Sequence, residues 1–400
     1  MSDLFERPRY YRDVAFHKHT DRAIGWLELF YDLVYVATLI QIGNYLSSNL
    51  DWTGFGRFLV MMFVIWWAWS GETAYQNRYY VDDVLHRLLV LVQIFGVAAM
   101  GLSVDDAFGS LSTQFALSFA LVRSILLLMW VRSYRTHAPS RSLAIGYMTG
   151  IGGGVAIWLG SIALPEDARW IGWLVAIAFE IVFFARPSLM RETLAWEPDD
   201  HHLVERMGIF TIIVLGEAFV KILDDAQGTQ LGWDQIVFGA ILVTCLFTLW
   251  WLHFSDSAGE LYDVSSNAKP LAWVYGHLFL AVSLVMFGVA AKKLFAETIS
   301  YPGEVVTEEY RLLLTTAVTI FLVGQSSITF GVDDSLTTLS QKRRVVGYLI
   351  GAVVIAVLGS TLTSLSAKGI TAVITGVLVV LVGDAILQTK RMGSPVETTH

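Results

Sequence analysis

The sequence predicts an all-helical membrane protein that crosses the bilayer about twelve times. Hydrophobic residues make up 55% of the 400 residues and charged residues only 16%, whereas soluble globular proteins carry about 25% charged residues. The mean hydropathy of +0.57 describes the whole chain, so the apolar character is not confined to a single anchor. Twelve segments also approach the roughly 20 apolar residues that a helix needs to cross a bilayer.

The twelve predicted spans are apolar on all sides and show no alternation of apolar and polar residues, which argues against a transmembrane β-barrel. The first six cover 27–46, 55–74, 86–103, 111–131, 143–164 and 168–185. The second six cover 203–223, 236–254, 271–290, 312–330, 345–365 and 370–387. A net charge of -8 argues against a nucleic-acid partner, and the single cysteine excludes an internal disulfide.

The N-terminal segment, 1–26, is polar and is expected to lie on the cytoplasmic side. It carries five basic residues and lacks the apolar core and small-residue cleavage site of a signal peptide. Most of the 27 lysines and arginines fall in this segment or in loops on the same side, among them Arg135, Arg141 and Arg191. Because cytoplasmic loops are enriched in lysine and arginine, both termini are predicted to be cytoplasmic.

Matching motifs predict two halves of six spans each, related as a parallel repeat by an axis along the membrane normal. The matches in chain order pair Trp66-Trp67 with Trp250-Trp251, the FGVAA of 95–99 with that of 287–291, Gly146-Tyr147 with Gly347-Tyr348, and Glu180 with Asp384. The first half is predicted at 27–185 and the second at 202–389. A linker at 186–201, broken by two prolines, joins them, and a tail covers 390–400.

The first span carries acids in an apolar helix, in the run ELFYDLVYV that begins at Glu28. Glu28, Asp32 and Tyr35 follow one another at spacings of four and three residues, so they share one helix face. A charge at the centre of a membrane helix costs roughly 2.5–3.5 kcal/mol even on the mildest scale. Asp32 is therefore expected to have a partner or to contact water.

The seventh span and the residues before it contain the run HHLVERMGIFTIIVLGE, from His201 to Glu217. Together with the run in the first span, it resembles the low temperature requirement protein A family of bacterial membrane proteins, over about residues 20–390. The usual family spellings are close to ELFFDLVFV and HLAERFGLFTIILLGE, and this chain departs from them with Tyr31 and Tyr35 in place of phenylalanine. The resemblance implies a multi-pass protein of the bacterial inner membrane. It implies no reaction, substrate or catalytic residue.

Ionisable residues inside the spans are the candidates for an ion, proton or substrate pathway. They are Glu28, Asp32, Tyr35, His86, Arg123, Glu180, Glu205, Arg206, Glu217, His277 and Asp384. We expect Glu28, Asp32 and Glu205 to converge near Arg206, because spans one and seven begin at the same level of the membrane. The alternative is that these charges only pack helices, as in a Glu180–Arg123 pair or a Glu217–Lys221 pair four residues apart.

A metal site has weaker support. His201 and His202 lie within one turn of Glu205, so that turn could offer two ligands, but zinc needs a third or fourth. The glycine-rich run at 150–154 lies inside an apolar span with no strand before it, so it predicts close helix packing rather than phosphate binding. No cofactor is expected from the sequence.

Three classes of function remain open. A proton-coupled transporter or ion pathway fits the repeat and the acids inside the spans. A membrane-embedded enzyme acting on a lipid is disfavoured because the chain shows no nucleophile motif. A scaffold or sensor would leave the charges as packing pairs. The expected partners are the lipid bilayer, an unidentified small solute or ion, and a second copy of the chain.

Overall fold

In a computed structural model, the chain is almost entirely helical. The structure describes residues 11–16, 24–196, 199–224, 232–256, 268–332 and 338–392. The helices in this part are α1 (Trp26–Ser48), α2 (Trp52–Gln76), α3 (Val84–Leu102), α4 (Ser112–Thr136), α5 (Arg141–Ser161), α6 (Arg169–Phe184), α7 (Pro187–Ala195), α8 (Asp200–Asp224), α9 (Trp233–Asp256), α10 (Ala268–Ser300), α11 (Glu308–Gly331), α12 (Thr338–Thr361) and α13 (Ala367–Met392).

Each predicted span coincides with one helix, of which α6 is the shortest at 16 residues, and α7 is an additional short helix within the predicted linker. In the described part, nine helices are long and apolar enough to cross a membrane, or ten if α6 and α7, bent by 72° at their junction, count as one span. Neither α2 nor α8 meets this criterion, and α8 carries charged residues along its length. A multi-pass helical membrane protein is confirmed, but twelve spans are not.

The backbone contacts divide the chain into two compact units. The first comprises the described residues up to Tyr45 together with Asp51–Arg206, and the second comprises Leu46–Leu50 together with the described residues from Met207 onward. Within the first unit, α4 packs against α2, α3 and α5, and α5 packs against α6. The predicted linker therefore lies with the first unit, and the unit ends within α8.

The second unit is built around α10, a helix of 33 residues. Helix α11 packs along it, and their backbones come close at Gly276, where an added Cβ would lie 2.9 Å from the carbonyl oxygen of Gly324. Helix α11 also packs against α12, while α9 packs against α13. A glycine at this contact allows the two helices to approach to a distance that a side chain would prevent.

A short antiparallel sheet fastens the N-terminal segment to the first unit. Strand β1 (Ala15–Phe16) pairs with β2 (Tyr79–Tyr80), between α2 and α3. Beside it, Asp83 caps α3 by accepting the N–H of His86 at 2.8 Å, accepts the N–H of Arg12 at 2.7 Å and pairs with Arg132 of α4. Residues 11–16 are held against the first unit by these contacts.

The fully buried carboxyl of Asp83 joins three segments of the chain. Burial opposes its ionisation, but the hydrogen bonds from Arg132 and from the N–H groups of His86 and Arg12 outweigh burial and hold the pKa of Asp83 below its ordinary value. A carboxyl with a lowered pKa stabilises the fold above its unfolded pKa of about 3.9. That stabilisation is lost as the pH falls through the lower pKa of the folded protein.

We therefore predict that Asp83→Asn lowers the free energy of unfolding by on the order of 3 kcal/mol at pH 7, because it leaves Arg132 buried without its counter-charge. The difference in the free energy of unfolding between this variant and the wild type should become smaller below about pH 4. Unfolding in detergent micelles across this pH range measures it. The matched control is Asp82→Asn, which removes a largely exposed pair with Arg87 and should change stability by less than about 1 kcal/mol. Equal losses in the two variants would contradict the prediction.

Candidate functional site

The centre of the first unit holds a buried ion pair between α1 and α8. Asp32 and Arg206 are both fully buried, and the guanidinium donates to the two carboxylate oxygens at 3.0 and 3.3 Å. Trp69 of α2 donates its indole N–H to Asp32 at 2.7 Å. The two sequence motifs of the resemblance thus meet at Asp32 and Arg206. The expectation that Asp32 has a partner is met by this pair.

The ion pair continues into a chain of hydrogen bonds that reaches α3. Arg206 donates to the side-chain oxygen of Gln76 at 2.7 Å, and the amide nitrogen of Gln76 donates to Glu72 at 2.7 Å. Gln93 of α3 donates its own amide nitrogen to the other oxygen of Glu72 at 2.9 Å. Four helices thus contribute to one buried network, which we call the polar chain: Asp32, Trp69, Arg206, Gln76, Glu72 and Gln93.

The first turn of α1 is joined to the start of α8 by a second contact. Glu28 accepts the backbone N–H of Gly25 at 2.8 Å and lies 3.2 Å from Nε2 of His202. The other ring nitrogen of His202 is hydrogen-bonded to the side-chain oxygen of Asn77. Because an amide oxygen only accepts, this geometry makes Nδ1 the protonated nitrogen of His202.

A third buried contact joins α2, α4 and α6. Glu180, of which only 1% is exposed, pairs with Arg123 and accepts the indole N–H of Trp67 at 2.7 Å. Glycines make the room for it, since a Cβ at Gly154 would collide with the Glu180 carboxylate and one at Gly71 with the Arg123 guanidinium. The predicted pairing of Glu180 with Arg123 is present.

The tyrosines in which this chain departs from the family spelling face the same interior. Tyr31 and Tyr35 are fully buried, and their hydroxyl oxygens are 3.2 Å apart. They lie within electrostatic range of Glu72, as does Arg123. The hydroxyl pair therefore belongs to the electrostatic surroundings of the polar chain, although no hydrogen bond joins it to that chain among the described residues.

The other predicted residues are placed separately. Glu205 and His201 are exposed on α8, so the expected convergence of Glu205 with Glu28 and Asp32 is wrong. The reason is helical geometry, because Arg206 follows Glu205 directly and neighbours in a helix face different directions. His86 is buried, and its backbone N–H donates to the carboxylate of Asp83, which is not a member of the polar chain.

Three predicted residues belong to the second unit. Glu217 lies 3.9 Å from Lys221 in the expected intrahelical pair, and Asp384 pairs with Arg343 of α12, both side chains being partly exposed. His277 donates from Nδ1 to the carbonyl oxygen of Trp273 at 2.8 Å. Its ring lies edge to face with that of His253, with centroids 5.6 Å apart.

Four members of the polar chain are absent from the candidates predicted from the sequence. They are Glu72, Gln76, Gln93 and Trp69. Glu72 and Gln76 are four residues apart in α2, a spacing that places both on one helix face, and this was the available signal. Gln93 carries no charge, so no rule about ionisable residues in membranes would have selected it. Within the described residues, no group of three His, Cys, Asp or Glu side chains is placed to hold a metal ion.

We predict that breaking the Arg123–Glu180 pair from one side is more destabilising than removing both charges. Arg123→Met or Glu180→Gln alone should lower the free energy of unfolding by about 3–5 kcal/mol, because each leaves a buried charge without its partner. The double variant should lose at least about 1 kcal/mol less than the sum of the single losses. Unfolding in detergent measures all four proteins, and additive losses would mean that the two charges do not interact.

Comparison with known proteins agrees with the placement of the two motifs. The chain is 25% identical over 321 residues to the uncharacterized protein RA0937 of Rhizobium meliloti (strain 1021), which covers 74% of this chain and 75% of that protein. The family model described as bacterial low temperature requirement A protein matches residues 23–382. This match includes both ends of the Asp32–Arg206 pair and nearly all of the described helices. The chain therefore belongs to the bacterial low temperature requirement A family.

Proposed function

We propose that the protein is a proton-coupled transporter or ion pathway of the bacterial inner membrane. The observation that carries the proposal is the polar chain, which runs without a break from Asp32 through Arg206 and Gln76 to Glu72. Carboxyl and guanidinium groups in membrane helices are costly to bury, and they commonly mark substrate, ion or proton pathways. Its members come from α1, α2, α3 and α8, so a change at one carboxyl reaches four helices.

Packing alone is a weaker explanation of this arrangement. A single ion pair would be enough to join two helices, and apolar or small residues achieve the same without desolvating charges. The polar chain instead adds a second acidic group, Glu72, to the Asp32–Arg206 pair and holds it with the side-chain amides of Gln76 and Gln93. A scaffold would need no such extension, and measured flux separates the two functions.

The finer architecture is part of the proposal. We propose twelve spans, with α2 and α8 crossing the membrane despite their charges, and six spans in each half. Helix neighbours support the repeat, because the contacts of α4 with α2, α3 and α5 have counterparts in the contacts of α11 with α9, α10 and α12. The proposed counterparts Glu180 and Asp384 pair with arginines of α4 and α12, which do not correspond. The pattern of helix contacts therefore supports the repeat better than the positions of these two acids do.

The function is tested with purified protein in liposomes that contain a pH-sensitive dye. An imposed pH gradient should drive proton movement faster than in protein-free liposomes, and Asp32→Asn should reduce that movement at least tenfold, because it removes the counter-charge of Arg206 from the polar chain. Glu205→Gln, the exposed acid on the helix of Arg206, is the matched control and should move protons like wild type. A wild-type rate equal to that of protein-free liposomes would contradict the proposal.

The topology has its own test. With twelve spans and both termini cytoplasmic, tags at Met1 and His400 should be accessible only from the cytoplasm. A cysteine at Ser110, in the exposed turn between α3 and α4, should react with a membrane-impermeant thiol reagent from outside. The native Cys245 is buried and should not interfere. Termini on opposite sides would mean an odd number of spans and would remove the parallel repeat.

A further inference from the structure

Glu72 lies fully buried in α2, and its surroundings differ from those of the other buried acids in the helices of the first unit. Asp32 pairs with Arg206, Glu180 with Arg123, and Glu28 with His202. Glu72 accepts hydrogen bonds from the neutral amides of Gln76 and Gln93, at 2.7 and 2.9 Å. Among the residues that the structure describes, no cationic side chain forms an ion pair with it.

Charged and titratable groups on four helices lie within electrostatic range of Glu72. Helix α1 contributes Tyr31 and Tyr35, and α2 contributes Tyr75. The two guanidinium groups within electrostatic range are Arg123 of α4 and Arg206 of α8, and each is already paired with another carboxylate. Asp32, Glu72 and Glu180 together thus outnumber these two guanidiniums by one carboxyl. When all three carboxyls are ionised, one negative charge in this set lacks a fixed counter-charge.

We propose that Glu72 is a proton-binding site and that the side-chain amide of Gln93 reverses its orientation when the proton binds. The step is a simple protonation, in which the carboxylate gains one proton and forms one O–H bond, and no electron is transferred. Binding of the proton removes the excess negative charge. As the coupling site of a transporter, Glu72 rests on the function proposed above, whereas as a proton-binding site it stands on the contacts alone.

Gln76 is fixed in one orientation by its other neighbour. Its side-chain oxygen accepts from Nη1 of Arg206 at 2.7 Å, and a guanidinium only donates. Reversing this amide would place its NH₂ group against the N–H of Arg206, donor against donor. Gln76 therefore presents a donor to Glu72 in both protonation states, and it cannot accept the hydroxyl hydrogen of a protonated Glu72.

Gln93 has the freedom that Gln76 lacks. Its side-chain oxygen is buried and accepts no hydrogen bond from any described residue, while its nitrogen makes only a long contact of 3.4 Å with the carbonyl oxygen of Val122 besides its bond to Glu72. Turning the amide would bring that oxygen to Glu72, where it can accept the new O–H. The ionised carboxyl is satisfied by the present orientation and the protonated carboxyl by the reversed one.

The test is infrared difference spectroscopy of the full-length protein in lipid vesicles, recorded between high and low pH. Protonation of Glu72 should give a carboxylic acid C=O band that Glu72→Gln removes and that the exposed control Glu205→Gln retains. The same spectrum should contain a shifted side-chain amide band, because the amide of Gln93 changes partners. Gln93→Met should remove the amide band and keep the carboxyl band, with its midpoint moved to higher pH by about one unit, since a donor to the ionised form is lost.

The carboxyl band tests the proton site, and the amide band tests the reversal of Gln93. A wild-type spectrum without a carboxyl band assignable to Glu72 at any pH at which the protein stays folded would overturn the proton site. A carboxyl band without any amide band that depends on Gln93 would overturn the reversal. Because both readouts are independent of flux, a protein that shows both bands but moves no protons in liposomes would contradict the proposed function and leave the binding site established. Thermal unfolding of each variant identifies those that fail to fold.

Discussion

The pairing of Asp32 with Arg206 is the constraint on which the interior of the first unit depends. Both groups are fully buried, and an unpaired charge at that depth would cost several kcal/mol. Satisfying the two groups requires more than the pair, because a guanidinium has five N–H donors and a carboxylate several acceptor positions. The indole of Trp69 and the amide of Gln76 meet part of this demand. Burial of one pair thus determines side chains on α2 as well as on α1 and α8.

Two buried arginine–carboxylate pairs in the unit join helices that are distant in sequence. Asp32 and Arg206 are 174 residues apart, and Arg123 and Glu180 are 57 apart. Glycines permit the second pair, because Gly71 and Gly154 lie against its two head groups. The buried charges therefore specify which helices are neighbours, and the small residues specify how closely they approach. In a membrane, where apolar surface provides little preference between helix partners, this specificity matters more than it would in water.

Hydropathy was sufficient to predict the helices, because a run of about 20 apolar residues is the direct consequence of bilayer thickness. It was not sufficient to count the spans, because α2 and α8 do not meet the length and hydropathy criterion and α6 alone has only 16 residues. Helical spacing predicted that Glu28, Asp32 and Tyr35 share one face of α1, and all three are buried. The Glu180–Arg123 pair was expected only under the alternative in which the charges pack helices. Helical spacing could not separate Arg206 from Glu205, since adjacent residues give no information on which of them faces the interior. Gln93 was missed because a neutral side chain acquires its importance only from the neighbours that folding brings to it.

The separation of Asp32 from Arg206 also has a consequence for biogenesis. At bacterial rates of synthesis of roughly 5–20 residues per second, an interval on the order of 10–35 seconds passes between the emergence of the acid and that of its counter-charge. During that time α1 has to enter the membrane with Asp32 protonated, solvated or held by an earlier partner. Trp69 follows only 37 residues after Asp32 and already donates to it in the finished protein. The indole N–H is thus suited to act as a temporary hydrogen-bond donor to Asp32 until the guanidinium of Arg206 is inserted with α8.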